Sequence, residues 1–124
     1  MAAPNIVNVT SIVGNTLAAA VGTSATSVVS NAANSGKVFK INSLYIANID
    51  GTASANITVN HYGAAALTGT AIAIASTVAV AADSTLVVIT KDTAIYLLED
   101  RSIGVIASAG GDLEFVASWD EIDD

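Results

Sequence analysis

Apolar and polar residues alternate with a period of two along most of this chain, the mark of strands that bury one face. The clearest case closes the sequence. Between Asp92 and Asp124, TAIYLLEDRSIGVIASAGGDLEFVASWDEI reads as three strands in a row, broken by the charged corner Glu99-Asp100-Arg101 and by a Gly110-Gly111 turn. In the last of these, Leu113, Phe115, Ala117 and Trp119 share one face, with Glu114, Ser118 and Asp120 opposite. Thr70 to Ala81 alternates as regularly: Ile72, Ile74, Val78 and Val80 lie on one face, and Ala71, Ala73, Ala75, Ala79 and Ala81 on the other. That period predicts a strand despite alanine's preference for helix. The alanine face has two readings, an undemanding outer surface or a surface that a neighbouring sheet or subunit approaches closely.

The same reading runs through the rest of the chain. Ile6 to Val13 predicts the opening strand, with Val7, Val9 and Val13 on one face. Leu17 to Val21 is a short apolar run in which a helical turn is possible. Ser24 to Ser30 reads as a strand and Asn31 to Gly36 as a loop. Lys37 to Asp50 followed by Ala53 to Tyr62 predicts a hairpin about Asp50-Gly51, because glycine accepts a positive φ without steric cost. Gly63 to Gly69 reads as a loop. The β-branched run Thr85 to Thr90 suits a strand buried on both faces, and Lys91-Asp92 reads as a turn. Eight or more short strands at this spacing predict an all-β fold, a single-domain antiparallel β-sandwich or jelly roll over residues 1–124. Residues 1–14 are its first strand or a docking arm.

Composition narrows the functions open to such a fold. A chain of 124 residues buries a core without staples, and there is no cysteine for disulfide or thiol chemistry. The net charge is −7, and Lys37, Lys40, Lys91 and Arg101 are the only cations. Nucleic acid is therefore not an expected partner, since binding it requires several cations to displace phosphate counterions. Anionic membrane surfaces are disfavoured for the same reason. No apolar run approaches the roughly 20 residues of a membrane-spanning helix. No basic segment precedes an apolar core, so folding in a cytoplasm without classical export is expected. Residues 1–36 carry no charged side chain, and residues 51–82 carry none apart from a possible charge on His61. Ordinary surfaces draw about a quarter or more of their residues from charged types. At 12% charge, part of this surface is expected to be covered by other copies or by partners.

Candidate chemistry is sparse. His61, the only histidine, shares a strand face with Ile57 and Val59 and reads as partly buried or interfacial. No Gly-x-Ser-x-Gly elbow supports a serine nucleophile. Asp120, Glu121, Asp123 and Asp124 are the densest candidates for Ca²⁺ but lack the spacing of an EF-hand loop. Glu99, Asp100, Asp112 and Glu114 could supply a glycosidase pair, yet they read as solvated strand-end corners, with Asp100-Arg101 as a local ion pair or turn contact. The phase of Trp119 with Leu113 and Phe115 makes it a cap on the core rather than a sugar platform. No catalytic, cofactor or metal residue is assigned, and the chain reads as non-enzymatic.

Two blocks carry a resemblance. APNIVNVTSIVGNT…VVSNAANSGKVFKINSLYIANIDGTASANITVNHY leads from an opening strand through a small-residue loop to Gly36-Lys37-Val38-Phe39-Lys40-Ile41-Asn42 and then to Asn48-Ile49-Asp50-Gly51. YLLEDRSIGVIASAGGDLEFVASWDEI adds a Leu-Glu corner, a strand ending Ala-Ser-Ala and an aromatic-x-Glu close. Together they resemble small virion structural proteins of tailed phages, notably those of marine cyanophages, with Gly63 to Asp83 matching less specifically. The resemblance implies a head decoration (cement) subunit that stabilises the capsid, with a tail or neck position next. It implies no enzyme activity and no cofactor. The implied partners are the major capsid protein or other virion proteins, the implied oligomer is a homotrimer, and the implied location is the virion, assembled in the host cytoplasm. In such a role Asn5, Ile6 and Val7 would be an extended strand that adds to a neighbour's sheet edge. The alternative is an ordinary first strand. A second function is a carbohydrate-binding β-sandwich module of a tail, neck or surface, which would need an exposed aromatic platform.

Overall fold

The structure is a computed structural model that describes residues 4–123. Among these, nine strands follow in order: β1 (Ser11–Ala20), β2 (Thr26–Asn31), β3 (Lys37–Asn48), β4 (Ala55–Ala64), β5 (Thr68–Val80), β6 (Thr85–Ile89), β7 (Ile95–Leu97), β8 (Arg101–Ala107) and β9 (Leu113–Asp123). One sheet has the order β1-β9-β3-β6, with β7 also on β3, and the other has the order β2-β8-β4-β5. Every pairing is antiparallel.

The pairs nest. β4 pairs with β5, β3 with β6 and β7, β2 with β8, and β1 with β9. A ribbon doubled back at the β4–β5 turn and then rolled up gives this order, the jelly-roll form of the β-sandwich. The sixth strand of the eight-stranded roll is split. β6 pairs with Leu44 to Ala47 and β7 with Phe39 to Ile41, separated by a 3-10 turn at Lys91–Thr93. The all-β sandwich expected from the period of two is therefore the fold.

Inward residues of both sheets form one core. Leu44, Ile46, Leu113, Phe115 and Ala117 come from the first sheet, and Ile57, Val59, Ile103 and Val105 from the second. Burying each large side chain contributes about 1.5–3 kcal/mol. Val28 and Val29 are both buried although adjacent, because the β2–β8 register shifts between Ser27 and Val29 and leaves Val28 as the extra residue.

Several local expectations change. β3 and β4 do not form a hairpin about Asp50-Gly51. They lie in opposite sheets, and so do β8 and β9 on either side of Gly110-Gly111. The tight hairpin is β4–β5, whose loop is only Ala65 to Leu67 rather than Gly63 to Gly69. Residues 6–10 are not strand. β1 starts at Ser11 and absorbs Leu17 to Ala20, so no helical turn forms there. Thr85 to Thr90 is not buried on both faces, since β6 is an edge strand with Thr85 and Val87 exposed. In β5, Val78 and Val80 face inward opposite Ile57 and Ala55, as the pattern predicts. Beyond Thr77, at φ +52°, the register shifts. Ala75 then opposes the buried Val59, a second shift before Ala73 restores the phase, and Ile72, opposite His61, is 65% exposed.

Two buried asparagines tie the sheets together. Asn48, the last residue of β3, donates through Nδ2 to the Val80 carbonyl of the second sheet (2.9 Å) and to the Ala53 carbonyl (3.0 Å). Its Oδ1 accepts from the Asp50 N–H at 2.9 Å. At the other end of β3, Asn31 of the second sheet donates to the carbonyls of Lys37 (3.0 Å) and Leu97 (3.1 Å) in the first, and accepts from the Ser35 hydroxyl at 2.6 Å. Removing either side chain strands buried carbonyls, which costs about 1–3 kcal/mol. Asn48→Ala and Asn31→Ala are each expected to lower stability by that amount in urea unfolding. Their effects should add in the double variant, because β3 separates the two clamps by about 40 Å.

The crossover after Asn48 also carries a pH dependence. The Asp50 carboxylate accepts from the Thr52 N–H (2.8 Å), the Thr52 hydroxyl (2.9 Å) and the Ala53 N–H (3.3 Å). These bonds, the Thr52 N–H foremost, hold its pKa below the ordinary 3.8. A carboxyl depressed in the folded state stabilises the fold above its unfolded pKa, and that contribution is lost as pH falls through the folded value. Melting curves taken down through the carboxylate range should therefore show a steeper acid loss for the wild type than for Asp50→Asn.

Candidate assembly surface

The four sheet edges are β1, β2, β5 and the β6/β7 strand, and β1, β2, β5, β6 and β7 contain no charged residue. Nine of the ten residues of β1 are exposed, including Ile12, Val13 and Leu17, and its ladder with β9 runs without a shift from Ser11↔Asp123 to Ala20↔Glu114. The outer face of the first sheet carries an apolar row in register across all four strands, Ala18–Val116–Tyr45–Val87. Val116, Tyr45 and Val87 are 43%, 41% and 48% exposed. The next row, Ala20–Glu114–Ala47–Thr85, is more polar.

Between β1 and β2 the two sheets part to form an open cleft of about 590 Å³, walled by Leu17, Val28, Phe39 and Trp119. Glu121 organises its polar rim. One carboxylate oxygen accepts from Asn15 Nδ2 (2.9 Å) and Trp119 Nε1 (3.4 Å), and the other lies 3.7 Å from Lys37 Nζ. Three strands, β1, β3 and β9, thus meet on one carboxylate. Trp119 is half-buried and packs against the core, which matches its role as a cap.

The remaining candidates do not converge. Glu99 and Asp100 precede β8, whereas Asp112 and Glu114 follow it, and β8 alone spans about 23 Å. Glycosidase carboxylates stand roughly 5–10 Å apart. Asp100 instead accepts from the Ala65 N–H at 3.0 Å, and the Arg101 guanidinium donates to the Asp100 carbonyl at 2.8 Å. The pair is a turn contact, not an ion pair. With Ser30 and Ser102, which accept from Ala66 N–H and Leu67 N–H, Asp100 pins the 65–67 loop over the second sheet. There Leu67 covers Gly104, where a Cβ would lie 2.8 Å from Leu67 Cδ2. His61 is half-buried in β4, opposite Ile72 and Ile103. Among the described residues no three of His, Asp and Glu gather as a metal site would need, and Asp124 lies outside them.

The docking-arm geometry is corrected. Asn5, Ile6 and Val7 are not extended: Asn5 Oδ1 accepts from the Val7 N–H (3.0 Å) and its carbonyl from the Asn8 N–H (3.1 Å), closing a turn. Pro4 and Ile6 lie with Val38, Tyr96 and Leu98 around a shallow apolar depression, while Val7 is 92% exposed. Residues 1–3 of the expected arm lie outside the described residues. The unbroken edge of β1 and the cleft were missed from sequence. Only the absence of charge before Lys37 pointed toward them.

No protein-family model matches the chain, and no curated protein matches it. Among solved structures it is similar to a chain of the Bacillus endospore appendages, which form a novel family of disulfide-linked pili. The identity is 18%, over 91% of this chain and 89% of that one, with a TM-score of 0.52. A chain in the structure of infectious bursal disease virus, Gx strain, overlays 93% of this chain and 34% of its own length at 11% identity and a TM-score of 0.47. The likeness to the appendage chain is one of fold. The class is thereby defined as a single-domain jelly-roll β-sandwich.

Glu121→Ala releases Asn15, Trp119 and Lys37 together. It should cost about 1–2 kcal/mol in urea unfolding. Since Trp119 is the only tryptophan, its emission should shift to the red as the ring loosens.

Proposed function

We propose that this chain is a non-enzymatic structural subunit of a tailed-phage virion, a head decoration protein that stabilises the capsid by contact with the major capsid protein. The observation that carries the reading is the neutral, partly apolar outer surface of a chain with net charge −7: the uncharged edges and the Ala18–Val116–Tyr45–Val87 row. The resemblance of its two sequence blocks to small virion proteins supports the same role. So does the architecture. A decoration subunit must transmit load across the shell without deforming, and two sheets clamped at both ends of β3 form a stiff block. The acids of β9 keep the free protein soluble. With no cysteine, its contacts are non-covalent as far as thiols are concerned.

The test is reconstitution. Added to expanded heads that lack it, the purified protein should bind to saturation at a fixed ratio to the major capsid protein and raise the temperature at which the heads rupture. Tyr45→Lys with Val116→Glu, an opposite-charge pair across β3 and β9, should weaken binding at least about tenfold while leaving the melting curve of the free protein nearly unchanged. Absence of saturable head binding by the wild type would overturn the decoration role.

A further inference from the structure

We infer that β1 is a self-association edge, on which a second copy of this chain pairs β1 antiparallel to β1 about a twofold axis and joins two first sheets into one. The inference deepens the structural reading by naming a surface, but it stands on the edge alone.

The backbone supplies the bonds. Val21 N–H donates to the Leu113 carbonyl at 2.9 Å, continuing the β1–β9 ladder. Antiparallel pairs alternate in which residues exchange hydrogen bonds. The odd-numbered residues of β1 therefore turn their N–H and C=O groups toward β9. Those of Ile12, Gly14, Thr16, Ala18 and Ala20 point to the free side, where all five residues are exposed. Sheet edges of this kind are normally protected by lysine, proline, bulges or brevity. β1 has none of these over ten residues.

The other edges have such protection, and this selects β1 as the partner of β1. β5 shifts register at three points and carries Thr77 at φ +52°. β2 is six residues long with one shift. β6 and β7 are interrupted by the 3-10 turn. Only β1 offers a straight edge to match a straight edge. The twofold arrangement is self-complementary, and a register sum of 30 or 32 sets inward residues beside inward residues, for example Val13 beside Leu17 or Ala19.

Charge favours this occupant. The acids of the first sheet nearest the edge, Glu114, Asp120, Glu121 and Asp123, are on β9. Edge-to-edge pairing keeps the β9 strands of the two copies three strand spacings apart, about 14 Å. That exceeds the Debye length of about 8 Å at physiological ionic strength. Two chains of charge −7 can thus meet here with little repulsion.

The experiment is the solution mass of the full chain by light scattering and sedimentation over a wide concentration range, with amide exchange on dilute and concentrated samples. The wild type should form a dimer, and Ile12, Gly14, Thr16, Ala18 and Ala20 should gain amide protection as the dimer forms. Thr16→Pro removes an outward N–H that the β9 ladder does not use, and Ala18→Lys places a charge on the edge. Each should raise the dimer dissociation constant at least about tenfold with the fold retained. A wild type that stays monomeric, a trimer, or a dimer indifferent to both variants would overturn the inference. A monomer that still coats heads would leave the decoration role standing, and a dimer that ignores heads would remove that role alone.

Discussion

Apolar burial holds two sheets together but does not by itself fix how one sits on the other, because the hydrophobic effect has no direction. In this molecule direction comes from Asn48 and Asn31, buried at the two ends of β3, each of which reaches carbonyls of the opposite sheet. Asn48 also seats the Asp50 N–H, so one side chain sets both the crossover between the sheets and the stacking across them. The core residues of β3, Leu44 and Ile46, lie between these two fixed points.

Nested pairing then explains where irregularity collects. β3 and β9 run through the middle of the first sheet, and β8 and β4 through the middle of the second. The split of β6 from β7 and the shifts in β2 and β5 fall on edges, where a lost ladder bond is replaced by water, while the interior pair β3–β9 shifts once, at Asn42. β1 is the exception, an edge as regular as an interior strand. A chain with so few charges leaves neutral surface somewhere, and here it gathers at the edges and on one outer row. Those are places where backbone and flat apolar contact, rather than ion pairs, would hold a partner.

Much of this was legible residue by residue. The period of two placed Leu113, Phe115 and Ala117 in the core and Glu114 outside, and Trp119 was read as a cap, as it is. Ile72 keeps the phase of Val78, because the two register shifts on either side of Ala75 cancel, yet it lies 65% exposed opposite the half-buried His61; nothing local in Ser76-Thr77 announces a positive φ at a β-branched residue. Asp50-Gly51 suggested a hairpin because it is good turn chemistry. A turn also serves a crossover, however, and the choice depends on which strands are already paired. In sequence Asn31 opens a loop and Asn48 sits inside the strand Lys37 to Asp50, and neither shows its role, since an asparagine that bonds to distant carbonyls has the same sequence context as one that faces water.

Sequence alone determined that the chain is built from strands, which face of most strands turns inward, and that little charge remains to cover the outside. These are local properties, set by side-chain period and composition. The tertiary structure alone decided which strands become neighbours, that the successive strands β3 and β4 and the successive strands β8 and β9 part into opposite sheets, and that β1 is left as a straight open edge. Pairing in a rolled ribbon joins residues more than a hundred positions apart, as Ser11 is from Asp123, and no local pattern encodes a partner at that distance.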